Sequence, residues 1–258
     1  MNPADQSRPG RLYLVPAPLD FGCDQPAPLE QVMPAGTLQV AARLGCWISE
    51  NARSTRAYLK RVNELQPLAQ PIQALQIQEL PRDVHKKGDH AGQFDARPLL
   101  QPALQGNDVG LVSEAGMPAI ADPGSSVVRA AHDLGLQVIA LAGPISLTMA
   151  LAASGLNGQN FAFVGYLPQD AAERTVRIKA LESLALKTGQ TQIFIETPYR
   201  NAALLGALLQ ALQNNTRLAL SSGLTLESAW SKSVQVSLWK RDKPKAPLDL
   251  PTVFAIGR

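Results

Sequence analysis

Cysteine is nearly missing from this sequence, which holds only Cys23 and Cys46 in 258 residues. Two unpatterned cysteines cannot build a disulfide framework, and no Cys/His set has the spacing of a zinc site, so no metal is implied. A chain of this length buries roughly three quarters of its unfolded surface, so its core needs neither kind of staple. Long apolar runs are missing too: none approaches the ~18 residues that a bilayer-spanning helix requires. The opening Met1-Asn2-Pro3-Ala4-Asp5 lacks the basic start and apolar stretch of a secretory signal. These absences predict a soluble, cytoplasmic protein with no membrane partner. Charge of one sign is also lacking, since 24 Lys and Arg against 21 Asp and Glu leave +3, too little to mark a nucleic-acid binder. The charge is unevenly spread. Residues 1–169 carry 12 basic and 14 acidic side chains, and residues 170–258 carry 12 and 7. A basic second half is compatible with a polyanionic partner and is also common in ordinary soluble proteins.

What is present is a series of short apolar runs alternating with helical patterns. Arg11 to Val15, Cys46 to Ser49, Val109 to Ser113 and Gln137 to Leu141 read as strands. Between them, residues 122–135 show a helix with Asp122 as cap, Pro123 in the first turn, Val127, Val128, Ala131 and Leu134 as apolar face, and Gly135 as stop. Strands alternating with helices predict a doubly wound parallel sheet. A second series starts near residue 157, with strands at Phe161 to Gly165, Gln192 to Ile195, Leu218 to Ser221, Ser233 to Leu238 and Thr252 to Ile256. The last three have no convincing helix between them, which predicts antiparallel pairing and a mixed sheet. The expected layout is a tail over residues 1–10, an N-terminal α/β domain over 11–156 and a C-terminal α/β domain over 157–258.

Ligands of open parallel sheets bind beyond the C-terminal strand ends, where three loops stand out. Pro16-Ala17-Pro18-Leu19-Asp20 lacks the glycines of a dinucleotide fingerprint, and the chain has no Gly-Lys-Ser/Thr phosphate loop. The run Ser113-Glu114-Ala115-Gly116-Met117-Pro118-Ala119-Ile120-Ala121-Asp122-Pro123-Gly124 and the loop Ala142-Gly143-Pro144-Ile145-Ser146 combine small residues with stiff prolines. Such loops meet a ligand through backbone groups and small apolar surfaces. An uncharged or cationic, nucleoside-like ligand fits them better than a polyphosphate, although each loop taken singly is also an ordinary strand-to-helix turn.

The run LVSEAGMPAIADPG from Leu111 to Gly124, followed by AGPIS, ASGL at Ala153 to Leu156, FAFVGYLP at Phe161 to Pro168 and IFIETPYRN at Ile193 to Asn201, resembles the tetrapyrrole methylase superfamily. Within that superfamily it is most similar to the bacterial ribosomal small-subunit RNA 2′-O-ribose methyltransferase I group. The resemblance covers about residues 11–257. It implies a two-domain α/β fold with a parallel N-terminal sheet, a mixed C-terminal sheet and a cleft for S-adenosylmethionine, usually in a homodimer. It assigns Pro18, Ala115, Gly116, Met117, Pro118, Ile120, Gly143, Pro144 and Ser146 to the cofactor, with Ile195, Glu196 and Thr197 from the second domain and Thr225, Pro251 and Thr252 as an adenine wall. It implies ribosomal RNA, or the small ribosomal subunit, as partner.

Substrate candidates follow from charge and position. The helix expected over 198–213 has Thr197 as cap and Pro198 in its first turn, so Arg200 is expected to meet substrate phosphate or the cofactor carboxylate, the other reading being a local ion pair. Glu50 and Arg53 lie three apart at one helix start, and Arg53, Arg56 and Lys60 form a stripe that suits RNA phosphate or plain solvent. A ribose hydroxyl is a weak nucleophile, so a base would help, and Glu50 and Glu114 are the candidates. His85, His90, Lys86 and Lys87 lie in a polar loop that could close over substrate. Departures from the group mark a divergent branch: Asn51 stands where a second acid is usual, Ala52 where Thr is usual, and Ser221-Ser222-Gly223-Leu224-Thr225 where an Ala-Arg-Glu-Leu-Thr string is usual. Methylation of a tetrapyrrole or other small molecule, and a non-catalytic cofactor-binding regulator, are the rival readings.

Overall fold

The computed structural model describes residues 8–20, 22–81, 83, 84, 89 and 94–258. They fall into two compact units, one holding the chain up to Gly22 with Pro26–Pro144, the other Cys23–Gln25 with Ile145–Arg258. Apart from Cys23–Gln25, the chain passes from the first unit to the second between Pro144 and Ile145, ahead of the expected boundary after Leu156. The reason is packing: helix Ser146–Ser154 sets Leu147, Ala150 and Leu151 in one apolar cluster with Ile193, Ala219, Val253 and Ala255 of the second sheet.

The first unit is a parallel sheet of β1 (Leu12–Leu14), β2 (Cys46–Ser49), β3 (Gln76–Glu79), β4 (Val109–Val112) and β5 (Val138–Ala140), in the order β3-β2-β4-β1-β5. Alternation along the strands fills a core on each face. Tyr13, Trp47 and Val112 join helices Ala35–Arg43 and Ala52–Leu65 on one face, while Leu12, Ile48 and Leu111 join helix Ser125–Asp133 on the other. Strand β3 reads Gln-Ile-Gln-Glu and lies at the sheet edge, so a search for apolar runs passes over it.

The expected cap of helix Ser125–Asp133 is corrected. Gly124 occupies the cap position at φ 135, and the helix start is bonded by Asp89, whose carboxylate accepts from Gly124 N (2.9 Å), Ser126 N (2.8 Å), Ser125 Oγ (2.7 Å) and Ser126 Oγ (2.6 Å). Asp122 therefore does not cap it. Gly135 ends the helix as expected, in the left-handed region at φ 70.

The second unit is a mixed sheet of β6 (Phe161–Tyr166), β7 (Thr191–Glu196), β8 (Arg217–Ser222), β9 (Trp230–Gln235) and β10 (Thr252–Gly257), in the order β6-β7-β10-β8-β9. Only β6 and β7 run parallel, and the other neighbours are antiparallel. Phe194 and Phe254 pair in register and stack at 6.0 Å. The strand expected over Ser233 to Leu238 ends at Gln235, and Val236–Asp242 is helical. That turn is fixed from a distance, by the Trp239 indole donating to Leu218 O (2.9 Å) and by burial of Val236 and Trp239. Among the described residues no helix is long and apolar enough to cross a membrane.

Candidate functional site

Parallel strands deliver all their C-terminal ends to one edge of the first sheet, so the loops after β1, β2, β4 and β5 emerge together. Ala17 and Gly116 form an isolated antiparallel bridge, Ala17 N donating to Gly116 O (2.9 Å) and Gly116 N to Ala17 O (3.0 Å). Gly116 sits at φ 73, and a Cβ there would lie 3.3 Å from Leu19 Cδ2 and 3.7 Å from Pro144 O. At Gly143 a Cβ would fall 2.3 Å from Pro16 Cγ, so only glycine lets the β1 and β5 loops pack. The three loops singled out by sequence thus converge. Between Glu114 and Gly124 the chain takes positive φ at Gly116, Ala119, Ala121 and Gly124; a non-glycine residue is held there at a cost of order 1 kcal/mol. Pro18, Gly116, Met117, Pro118 and Pro144 are buried, Ala115, Gly143 and Ser146 are half-buried, and Ile120 is exposed.

The two glutamates proposed as bases come side by side. Glu114 N donates to Glu50 Oε2 (3.1 Å), and Asn51 Nδ2 donates to Glu114 Oε1 (2.8 Å). Asn51 Oδ1 caps helix Ala52–Leu65, accepting from Arg53 N (2.9 Å) and Ser54 N (3.4 Å). Because that oxygen is committed to two donors, the amide nitrogen must face Glu114. Asn51 therefore does two things that an acid could not combine, since a carboxylate here would cap the helix and repel Glu114. Asp122, cast by sequence as a cap, belongs to this group. Burial, then the charges of Glu50 and Glu114, push its carboxyl up to about 7. Its membership in the glycine- and proline-rich run was the available signal.

A cavity of about 410 Å³ opens beside this edge. Ala17, Pro18, Asp20 and Pro26 form one wall, Arg53, Ala57, Tyr58 and Arg61 of the helix another, and Asn51, Ser113 and Glu114 border the strand ends. Arg61 is committed to structure, since it grips Asp20 through two 3.1 Å bonds and donates to Ala27 O (2.7 Å). Tyr58 Oη and Ser113 Oγ are buried without a hydrogen-bond partner among the described residues, a state that costs about 1–3 kcal/mol per group. Burial pushes the Tyr58 phenol up, so it stays a donor. Arg53 is exposed on the wall; Arg56 and Lys60 are exposed too but do not line the cavity, and Arg56 Nη1 donates to Ala52 O (3.5 Å). Of the expected cofactor positions only Pro18 lines it. His85, His90, Lys86 and Lys87 lie outside the described residues.

In the second unit, Glu196, Thr252, Ser222 and Trp230 stand in one row across β7, β10, β8 and β9. Ser222 Oγ and Thr252 Oγ1 lie 2.7 Å apart, and Gly223 N donates to Pro251 O (3.0 Å), so Thr225, Pro251 and Thr252 share one corner. Thr225 is held at φ 73 with its hydroxyl buried and without a hydrogen-bond partner among the described residues. Ile195 and Thr197 flank Glu196 at the end of β7. The helix expected over 198–213 is a 3-10 turn, Pro198–Arg200, followed by Asn201–Ala211, and Thr197 caps neither with its side chain. Arg200 is tied down locally: its Nη2 and Nε donate to Glu196 Oε1 at 2.8 and 3.1 Å. The local ion pair is thus the observed arrangement. Among the described residues no group of three or more His, Cys, Asp or Glu could hold a metal ion.

Comparison with known proteins matches residues 48–234 to the family described as Tetrapyrrole (Corrin/Porphyrin) Methylases. The chain is 40% identical over 132 residues to the Ribosomal RNA small subunit methyltransferase I of Mesorhizobium japonicum, covering 51% of this chain and 44% of that protein. It is 33% identical over 222 residues to the protein of the same name from Micromonospora olivasterospora, covering 86% and 62%. The chain thus spans about half of the length of these relatives. A solved structure titled the methyltransferase CobJ shares the fold at TM-score 0.57 and 17% identity, covering 96% of this chain and 94% of that one. With a match across most of its length and the same two-sheet fold, this chain belongs to the tetrapyrrole (corrin/porphyrin) methylase family.

Proposed function

We propose that this chain is an S-adenosylmethionine-dependent methyltransferase whose acceptor is a ribose 2′-hydroxyl of small-subunit ribosomal RNA. The observation that carries the reading is the edge of the first sheet, where Glu50, Glu114 and Asp122 stand together beside three loops rich in backbone donors and acceptors. The names of the relatives support small-subunit ribosomal RNA as the substrate class, and the family resemblance supplies the ribose hydroxyl.

The residues present fit the cofactor. Neutral loops and carboxylates suit a ligand with a cationic sulfur and would repel a polyphosphate. Pro18, Ala115 to Pro118, Ile120, Gly143 and Pro144 would hold it in the first unit. In the second unit Ser146, Ile195 to Thr197 and Thr225 carry the same assignment, and the Thr225 hydroxyl has a hydrogen bond still to make. When bound, S-adenosylmethionine supplies an electrophilic methyl group on a sulfonium. The chain's own part is to orient the ribose hydroxyl and to accept its proton. The ribose oxygen gains the methyl carbon as the carbon–sulfur bond breaks, and the proton passes to the carboxylate group. Asp122, at about 7, is matched to a base operating near neutral pH. The same proposal makes the protein a cytoplasmic homodimer, which sedimentation of the purified chain would check.

Incubation with labelled methyl donor and small ribosomal subunits from a strain lacking the protein tests the reaction. Label in small-subunit RNA, on ribose, is expected; no transfer to any RNA would overturn the proposal.

A further inference from the structure

We propose that the cavity of the first unit is the seat of the acceptor itself: it takes one nucleoside lifted out of the RNA strand, with Arg53 at the adjoining phosphate. This rests on the reading above and extends it from an acceptor class to a place.

Three observations carry it. The first is size, because about 410 Å³ lies in the range of pockets that enclose one small ligand and is too small for a helical segment. The second is the position of Glu114, which lines the cavity, so a hydroxyl that enters the concavity meets a member of this acidic group. A concave site of this size takes a nucleotide that is single-stranded or drawn out of its stack. The third is the pair of buried, unpartnered hydroxyls on Tyr58 and Ser113. Both residues are more than nine-tenths buried, and a base edge offers the acceptors and donors that they lack. Arg61 cannot serve the phosphate while Asp20 grips it, whereas Arg53 is exposed on the wall. Ala57, small and exposed on the same helix, leaves the mouth open.

The test uses the full chain with small ribosomal subunits and with a single-stranded RNA oligonucleotide. Ala57→Trp fills the mouth from a solvent-facing position. It is expected to lower methyl transfer about 100-fold and to abolish oligonucleotide binding, with cofactor affinity within about twofold of wild type. Tyr58→Phe removes a hydroxyl that has no partner among the described residues, so it is expected to raise KM for RNA roughly tenfold while thermal stability holds or rises. Wild-type transfer by Ala57→Trp would overturn the proposal, as would a Tyr58→Phe variant that loses stability and keeps its KM. Oligonucleotide binding that Ala57→Trp abolishes, in a protein that methylates no RNA, would sink the proposed reaction and leave the pocket standing.

Discussion

Two aspartates at the start of one helix show how differently this unit uses the same side chain. Asp89 accepts four hydrogen bonds from Gly124, Ser125 and Ser126. Burial opposes its charge, but those bonds outweigh burial and hold the carboxyl below the usual range. Asp122, two residues before the cap position, has burial and two like charges against it and is driven up to about 7. The first arrangement stabilises the fold, and the second costs stability at neutral pH. Perturbed carboxylates of this kind cluster at functional sites, and the proposed reaction gives Asp122 the proton.

The largest effect expected from breaking this contrast is at Asp89. Asp89→Ala leaves the Gly124 and Ser126 amides unbonded and should cost about 2–4 kcal/mol in chemical denaturation. Because the folded pKa of Asp89 is depressed, its contribution is present above the unfolded value near ~4 and is lost as pH falls through the folded value. Asp122 runs the other way. Its folded pKa is raised, so the folded state holds the extra proton and wild-type stability falls as pH rises from about 4 to about 7. Asp122→Asn should therefore gain about 1–3 kcal/mol near pH 8, almost nothing near pH 4, and lose methyl transfer. A smaller stability effect is expected at Asn51. Asn51→Asp keeps the helix cap and removes the donor to Glu114, so stability should change by less than about 1 kcal/mol; the added charge beside the acid group should move the pH profile of transfer to higher pH. An effect of similar size belongs to Arg200→Gln, which removes the pair between a partly exposed Arg200 and a largely buried Glu196 and should cost about 1 kcal/mol by thermal melting.

The parallel sheet, the mixed second sheet and the three loops were legible because each is a local pattern: alternation, a glycine stop, a proline after a strand. What escaped depends on partners far apart in the chain. Asp89 bonds a helix that starts at Ser125, Asp20 grips Arg61, and the Tyr58 and Ser113 hydroxyls stand out only once the cavity is seen. The pairing of Asn51 with Glu114 was illegible for the same reason, so a position that read as a departure from its relatives proves to be a cap and a donor. The residues proposed for the cofactor were named by resemblance. The structure explains why two of those positions are glycine, Gly116 by its positive φ and Gly143 by its approach to Pro16.

Calorimetric titration of S-adenosylmethionine into the full chain, set against two glycine variants, tests the central claim most directly. Gly116→Ala and Gly135→Ala introduce a side chain at nearly the same backbone angle, φ 73 and φ 70, but a Cβ at Gly135 meets nothing within 4 Å. Both should lose about 1 kcal/mol of stability. Binding that weakens about tenfold or more in Gly116→Ala and is unchanged in Gly135→Ala is the expected result. A wild-type chain that does not bind the cofactor, or equal affinity in the two variants, would contradict the account.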